Sequence, residues 1–445
     1  MKIPAFLLAQ APSQTPLTDP AEINKVYAHW RLRTMYSLFF GYAIFYFVRK
    51  NLSAATPDLI LDLGFSKTQI GLLWSLLYFA YGLSKFANGI IGDKANPRYF
   101  MAIGLILSAV TNIFFGLSSS FIVLGIFWTL NGWAQGMGWP PCARGLTHWY
   151  SKNELGTKWG IWNASHQIGG AIIMVFSGWL TMNYGWRSAF IVPAVIAIAA
   201  ALFLINRLRD TPESLGLPPI EVHRNDPALS HTDTRHMSAK EMLFGIVFRS
   251  RTIWLLAIGN FFVYLVRYGV MDWAPTFLVE VKGSNIADAS GKVALFELTG
   301  LFGAFAAGWA SDKFFGGRRG FVNGLYMLVL ISAVLIFWLN PPGNNFLDMA
   351  ALSAVGFLVY GPQMLVGVAA AEAVDKSCSG TATGVTGLAG YMGSIFSGVG
   401  AGYIVDHWGW NGGWTFFSAS AIIGFFCFAW IAIGEKAKLK AKKVQ

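Results

Sequence analysis

Charge is what this chain has least of. Asp, Glu, Lys and Arg supply 12% of its 445 residues, roughly half the share of an ordinary soluble domain, which excludes a fully solvated globular surface. The three cysteines, Cys142, Cys378 and Cys427, stand far apart in apolar or glycine-rich sequence. That pattern predicts neither a disulfide framework nor a metal centre, and reads as small helix-packing residues. Nucleotide motifs are missing as well: Gly291 and Lys292 have Ile286 before them and Val293 after them, where a phosphate-binding loop needs a glycine and a Ser or Thr. This argues against an ATP-driven pump. With no nucleophile elbow, metal spacing or paired carboxylates inside apolar segments, the chain does not read as an enzyme, and no cofactor is expected. Acidic residues are scarcer than basic ones, 22 against 33, for a formal charge of +11. The basic residues fall in short runs between apolar segments, so nucleic acid is not the expected partner.

Apolar residues, by contrast, make up 55% of the chain and the mean hydropathy is +0.50. This predicts an all-α integral membrane protein, with a lipid bilayer as its main partner. A span takes about 20 residues, so the length suits roughly a dozen. Apolar runs place six at 34–52, 69–92, 97–117, 121–144, 157–181 and 186–206. Six more fall at 251–280, 289–313, 320–340, 347–373, 380–405 and 412–434. The reading is therefore a tail (1–33), a six-helix domain (34–206), a polar, proline-bearing linker (207–250), a second six-helix domain (251–434) and a basic tail (435–445). The short apolar patch at the N-terminus is interrupted by Pro4 and reads as tail rather than signal peptide. Lysines and arginines concentrate at both ends, in the linker and in the even-numbered connectors, which predicts that both termini and the linker are cytoplasmic.

The two halves repeat one another. Gly89, Asp93 and Lys94 after the second span return as Gly308, Asp312 and Lys313 after the eighth, and the Tyr184-Gly185-Trp186 turn returns as Trp408-Gly409-Trp410. Arg49, in GYAIFYFVRKN, has its counterpart in Arg267, in FVYLVRYGVMDW. A cation inside a span is costly unless it faces a cavity or a partner, so both arginines are candidate site residues. For Arg49 the competing reading is an arginine snorkelling to the interface beside Lys50.

Helical spacing puts further polar groups on the same faces. Tyr42, Tyr46 and Arg49 align on the first span, Tyr78, Tyr81 and Lys85 on the second, and Asn260, Tyr264 and Arg267 on the seventh. Phenols donate hydrogen bonds without adding charge, which suits an anion path. Lys85 reads equally as a path residue or a cation near the cytoplasmic loop. The fifth span adds Trp162, Asn163 and His166. That histidine is either a packing residue or a group that titrates in the range of a phosphate monoester's second ionisation. Glu297 reads as the one intramembrane carboxylate besides Glu372, either a counter-charge for Arg267 or Lys85 or a brace of the bundle. Two planar guanidinium forks suit phosphate. At roughly 10 Å and an effective dielectric of about 20 they repel by about 1.7 kcal/mol, which a bound dianion cancels. An empty site then resists closure, and the expected outcome is obligatory exchange of one anion for another.

The duplication with its G-x-x-x-D-K loops resembles the major facilitator superfamily, in whose repeat-built transporters a midplane site between repeats is a general feature. GYAIFYFVRKN, YGLSKFANGIIGDKANPRYF, QGMGWPPC, WNASHQIGG, RDTPESLGLPPIE, FVYLVRYGVMDW, YGPQMLVG and GTATGVTGLAGYMG, spread over nearly the whole chain, resemble the organophosphate:phosphate antiporters within it. The resemblance implies the major facilitator fold, twelve transmembrane helices in two six-helix repeats, in a bacterial inner membrane. It also implies exchange of glycerol 3-phosphate, or another phosphate monoester, for inorganic phosphate; a monomer is expected. Arg49 and Arg267 would clamp the phosphate, with Lys85, His166, Tyr264, Tyr360 and Tyr391 along the path. Hexose-phosphate members carry an Asp and a Lys in the eleventh helix, where this chain has Thr383 and Thr386. Sensor and translocase members lack that pair too, so a hexose-phosphate transporter and a hexose-phosphate sensor partnered with a kinase stay open.

Overall fold

The computed structural model describes residues 7–13, 15–92, 94–226, 241–374 and 378–444, with side chains as far as 436. Part of the expected linker, 227–240, and most of the expected C-terminal tail's side chains lie outside the described residues. Every element longer than an isolated bridge is helical among them: α1 (Pro20–Phe47), α2 (Asn51–Leu63), α3 (Lys67–Gly92), α4 (Pro97–Leu117), α5 (Phe121–Gln135), α6 (Trp139–Trp149), α7 (Lys152–Tyr184) and α8 (Ser188–Arg207). A short α9 (Ile220–His223) precedes α10 (Arg251–Glu280), α11 (Ile286–Lys313), α12 (Arg319–Leu339), α13 (Asn345–Glu372), α14 (Ser379–Ile395) and α15 (Ala401–Val444). Eight stretches of these helices are long and apolar enough to cross a membrane.

Local chemistry sets the helix starts. Asp19 accepts from the amides of Ala21 and Glu22 ahead of α1, with Pro20 at the first helical position. Helix α1 therefore begins well before the apolar run at 34. Asn96 with Pro97, Ser250, and Asn285 do the same for α4, α10 and α11. Two expected spans are broken and the last two are joined. The first is split at 48–50 between α1 and α2, and the fourth at 136–138, where Pro140 and Pro141 open α6. The last two run together through a π turn at Phe396–Gly400 and separate at Gly409, whose φ of 64° only glycine adopts readily.

The chain divides into two compact units. The first comprises Met1–Leu52, Phe79–Phe176 and Tyr184–Thr232. In it α4 packs on α5 and α8, and α1 on α6 and α8. Its apolar core runs from Leu38, Phe45 and Met101 to Leu146, Trp162 and Leu204. The second unit comprises Ser53–Tyr78, Ser177–Asn183 and Asp233–Gln445. In it α10 packs on α14 and α15, α12 on α13 and α15, and α11 on α13.

The α11 and α13 contact shows how helices associate where lipid is as apolar as leucine: backbone lies on backbone. A Cβ on Gly303 would stand 1.9 Å from the Phe357 carbonyl oxygen, and one on Gly356 2.1 Å from that of Phe296. Gly356→Ala must therefore part the two helices and is expected to cost about 1–3 kcal/mol. Gly367→Ala on the same helix, where a Cβ meets open space, is the control. Thermal unfolding in detergent checks the pair, and equal melting temperatures would contradict the close approach.

Candidate functional site

In the first unit the site begins with a backbone problem. At the break after α1 the Val48 carbonyl has no helical partner, and an unpaired carbonyl in apolar surroundings is expensive. Asn112 of α4 donates to it at 2.9 Å and Asn131 of α5 at 2.8 Å. Asn51 on the far side of the break donates to the Asn112 side-chain oxygen and to the Ala189 carbonyl, at 2.8 and 3.0 Å. This buried amide network fixes the short segment that carries Arg49.

Arg49 is 4% exposed. Its guanidinium carbon lies 4.0 Å from the Tyr46 ring centroid and 5.1 Å from that of Tyr81. Aromatic faces lower the cost of burying a cation without neutralising it. The cluster continues through rings: Tyr46 to His166 at 5.6 Å, Tyr46 to Tyr42 at 5.9 Å, Tyr42 to Trp162 at 4.9 Å. From Trp162 it passes to Trp159 (5.7 Å) and Trp139 (5.9 Å), and the Lys85 ammonium stands 5.4 Å from the Trp139 ring. Arg49, Tyr42, Tyr46, Tyr81, Trp162 and His166 are thus brought together, with Lys85 at the end of an aromatic chain. Asn163 is exposed, and among the described residues no hydrogen bond from its side chain ties it to this group. Trp139 and Trp159 were not singled out by the sequence. Their one signal was spacing, since Trp159 precedes Trp162 by about one turn.

The second unit builds its counterpart on α10. Arg267 is 2% exposed, with its guanidinium carbon 4.7 Å from the Tyr268 ring and 4.3 Å from that of Tyr360. It donates to the Tyr268 hydroxyl at 3.3 Å and to the Tyr360 hydroxyl at 2.7 Å. Tyr360 in turn donates to the Glu297 carboxylate. One phenol therefore bridges the buried cation and the buried carboxylate. The Tyr360 ring has room because residue 300 is glycine: a Cβ there would fall 2.2 Å from a ring carbon. Tyr264 lies 5.7 Å from both Tyr268 and Tyr391. Asn260, on the same face, donates to the Thr386 carbonyl at 2.8 Å and so holds α14 against α10. The hydroxyls of Thr383 and Thr386 bond back to carbonyls of their own helix.

One expectation is corrected here. Glu297 and Glu372 are not the sole carboxylates inside predicted spans: Asp272 lies within α10 and is 2% exposed. It accepts from the Tyr78 hydroxyl, while Ser53 donates to the Met271 and Asp272 carbonyls at 3.0 and 3.2 Å. A hydroxyl donor makes its burial tolerable. The signal was present, because Asp272 stands four residues after Tyr268 on the face that carries Tyr264. Asp348, at the start of α13, is also buried, beside Lys282 and Lys292 at 3.7 and 3.8 Å.

The Major Facilitator Superfamily profile matches residues 38–398. The chain is 46% identical over 439 residues to a "Probable hexose phosphate transport protein" of Chlamydia pneumoniae, covering 96% of each. To a "Glycerol-3-phosphate transporter" of Bacillus subtilis it is 44% identical over 423 residues, covering 93% of this chain and 95% of that one. Among solved structures, a bacterial homolog of the human lysosomal transporter Spinster, in an inward-facing and occupied conformation, superposes with a TM-score of 0.74 at 19% identity, over 92% of this chain and 98% of that one.

The Tyr360 bridge makes a prediction about stability. Tyr360→Phe keeps the ring and removes the hydroxyl shared by Arg267 and Glu297, and hydrogen bonds to charged groups contribute about 1.5–3 kcal/mol. A lowered unfolding temperature is expected. If Tyr360→Phe unfolds with the unchanged protein, the bridge does not hold the two charges.

Proposed function

Because the chain belongs to the Major Facilitator Superfamily, and within it to the organophosphate:phosphate antiporters, we propose that it is a secondary antiporter exchanging glycerol 3-phosphate for inorganic phosphate. The observation that carries this reading is the repeated one. Each unit buries an arginine against tyrosines, which stabilise a guanidinium while leaving it able to fork onto phosphate oxygens. A monoester carries about −1.5 to −2 charges at neutral pH, matched by two arginines. The relatives named above bear the names of two phosphate esters, and this supports the phosphate half of the substrate. The organic half rests on α14, where Thr383 and Thr386 spend their hydroxyls on their own helix and present no charge, which favours a small polyol phosphate. A hexose phosphate is the second reading, favoured by the likeness to the Chlamydia pneumoniae protein.

In the proposed cycle Arg49 and Arg267 each take part in holding the phosphate, Lys85 adds positive charge along the path, and His166 lines it. Tyr42, Tyr46, Tyr81, Tyr264 and Tyr391 donate hydrogen bonds, with Trp162 and Asn163 beside them. Glu297, through Tyr360, restrains Arg267 when no anion is present. Loading removes the repulsion between the two arginines, so the six-helix domains 34–206 and 251–434, joined by 207–250, change access only when occupied. The protein then works as a monomer in a bacterial inner membrane with both termini cytoplasmic.

Reconstituted vesicles loaded with labelled phosphate test this. Glycerol 3-phosphate outside is expected to drive efflux that glucose 6-phosphate competes with poorly; the reverse preference would move the assignment to hexose phosphates. Substantial efflux with no anion outside would contradict exchange altogether. Arg49→Lys and Arg267→Lys keep the charge but lose the fork, and each is expected to reduce exchange about 100-fold, on the scale of a lost charged hydrogen-bond pair. Near-normal exchange in either variant would remove that arginine from the substrate path.

A further inference from the structure

Arg33, Arg98 and Arg209 gather at the last turn of α8 in the first unit, and Arg207 stands two residues before Arg209 in the chain. Arg33 lies on α1, Arg98 in the first turn of α4, and Arg207 and Arg209 at the end of α8 and just beyond. The indole of Trp30 touches two of them: the Arg33 and Arg209 guanidinium carbons each lie 4.7 Å from its ring. Arg98 sits 5.1 Å from the Tyr99 ring and Arg207 6.0 Å from that of Phe203. The group is crowded enough that Arg209 is pushed below the usual arginine range, by burial first and then by Arg98 and Arg33.

A simpler role accounts for part of this. Three guanidiniums cap the end of α8: Arg98 donates to the Ile205 carbonyl, Arg33 to that of Asn206 at 3.3 Å, and Arg209 to those of Asn206 and Leu208 at 3.1 and 2.7 Å. A helix end carries only about half a negative charge, however, and four cations exceed it several-fold. Each guanidinium has five N–H donors, most of them unspent on those carbonyls, and Arg207 makes no hydrogen bond among the described residues. None of the four is in an ion pair among them either. Asp210, next in the chain, gives its two oxygens to Arg144 and to the Gln10 amide, at 3.0 and 2.7 Å. The remaining titratable neighbours are His29, whose ring nitrogen lies 3.4 Å from Arg33, and Tyr99, whose ring lies beside Arg98. The cluster is therefore a surplus of positive charge. Beside it the apolar surface is open, with Leu32 68% and Leu202 61% exposed on α1 and α8.

We propose that Arg33, Arg98, Arg207 and Arg209 form a binding site for the phosphate headgroup of an anionic phospholipid. Trp30 sits at headgroup level and the acyl chains lie over Leu32 and Leu202. Basic pockets between spanning helices on the cytoplasmic side take such headgroups, and Trp is at home in the interface. The exposed leucines favour a lipid over free phosphate, which has nothing to place there.

Native mass spectrometry of the detergent-purified protein, titrated with phosphatidylglycerol or phosphatidylcholine, tests the site. Phosphatidylglycerol is expected to be retained in preference. Arg33→Gln with Arg209→Gln should weaken retention by more than tenfold, taking about fivefold per arginine near a membrane surface. Arg207→Gln, which disturbs no hydrogen bond, should weaken it about fivefold with an unchanged unfolding temperature, and decides the matter if the double variant does not fold. Retention unaltered in Arg207→Gln, equal retention of phosphatidylcholine, or displacement of the lipid by millimolar inorganic phosphate would each overturn the proposal, the last in favour of a soluble anion.

Discussion

Hydrocarbon offers no hydrogen bonds, and the rest of this structure depends on that. A backbone group that leaves its helix within the apolar zone must find a partner from the protein itself. At Val48 the partners are two asparagines from two other helices. A break costing several kcal/mol in lipid is thereby made a fixed joint. The joint carries Arg49. The same constraint explains why so much of the second unit is glycine on backbone, since helices that gain nothing from expelling water must gain from close contact.

Charge obeys the same logic one step later. Arg49 and Arg267 are each held against tyrosine rings, which lower the cost of keeping a cation inside the protein. In the second unit a phenol adds direction, because Tyr360 receives from the arginine and gives to Glu297. An arrangement of that kind fixes the guanidinium and the carboxylate on one phenol.

Much of this was legible from residue spacing. The faces Tyr42, Tyr46, Arg49 and Asn260, Tyr264, Arg267 follow from helical periodicity alone, and both emerge as clusters. The break at 48–50 was not legible, because nothing near Val48 is a helix breaker; the asparagines that permit it lie far along the chain, in apolar runs where they looked like isolated polar residues. Asp272 was hidden for another reason. It stood inside a predicted span and on the right face, yet its tolerance for burial comes from Tyr78, 194 residues away. Tyr360 and Tyr391 carried no spacing signal at all and entered through family resemblance. Pairwise burial across distant helices is what one-dimensional periodicity cannot express.

The asparagine joint also sets an order of assembly. When α1 and α2 leave the ribosome the Val48 carbonyl has neither of its donors, and the second of them, Asn131, is made 83 residues later. Until α4 and α5 arrive, the first helix pair must keep that carbonyl in water, in a straighter helix, or in the lateral opening of the insertion machinery. The joint beneath Arg49 is thus completed only after α5 has been made.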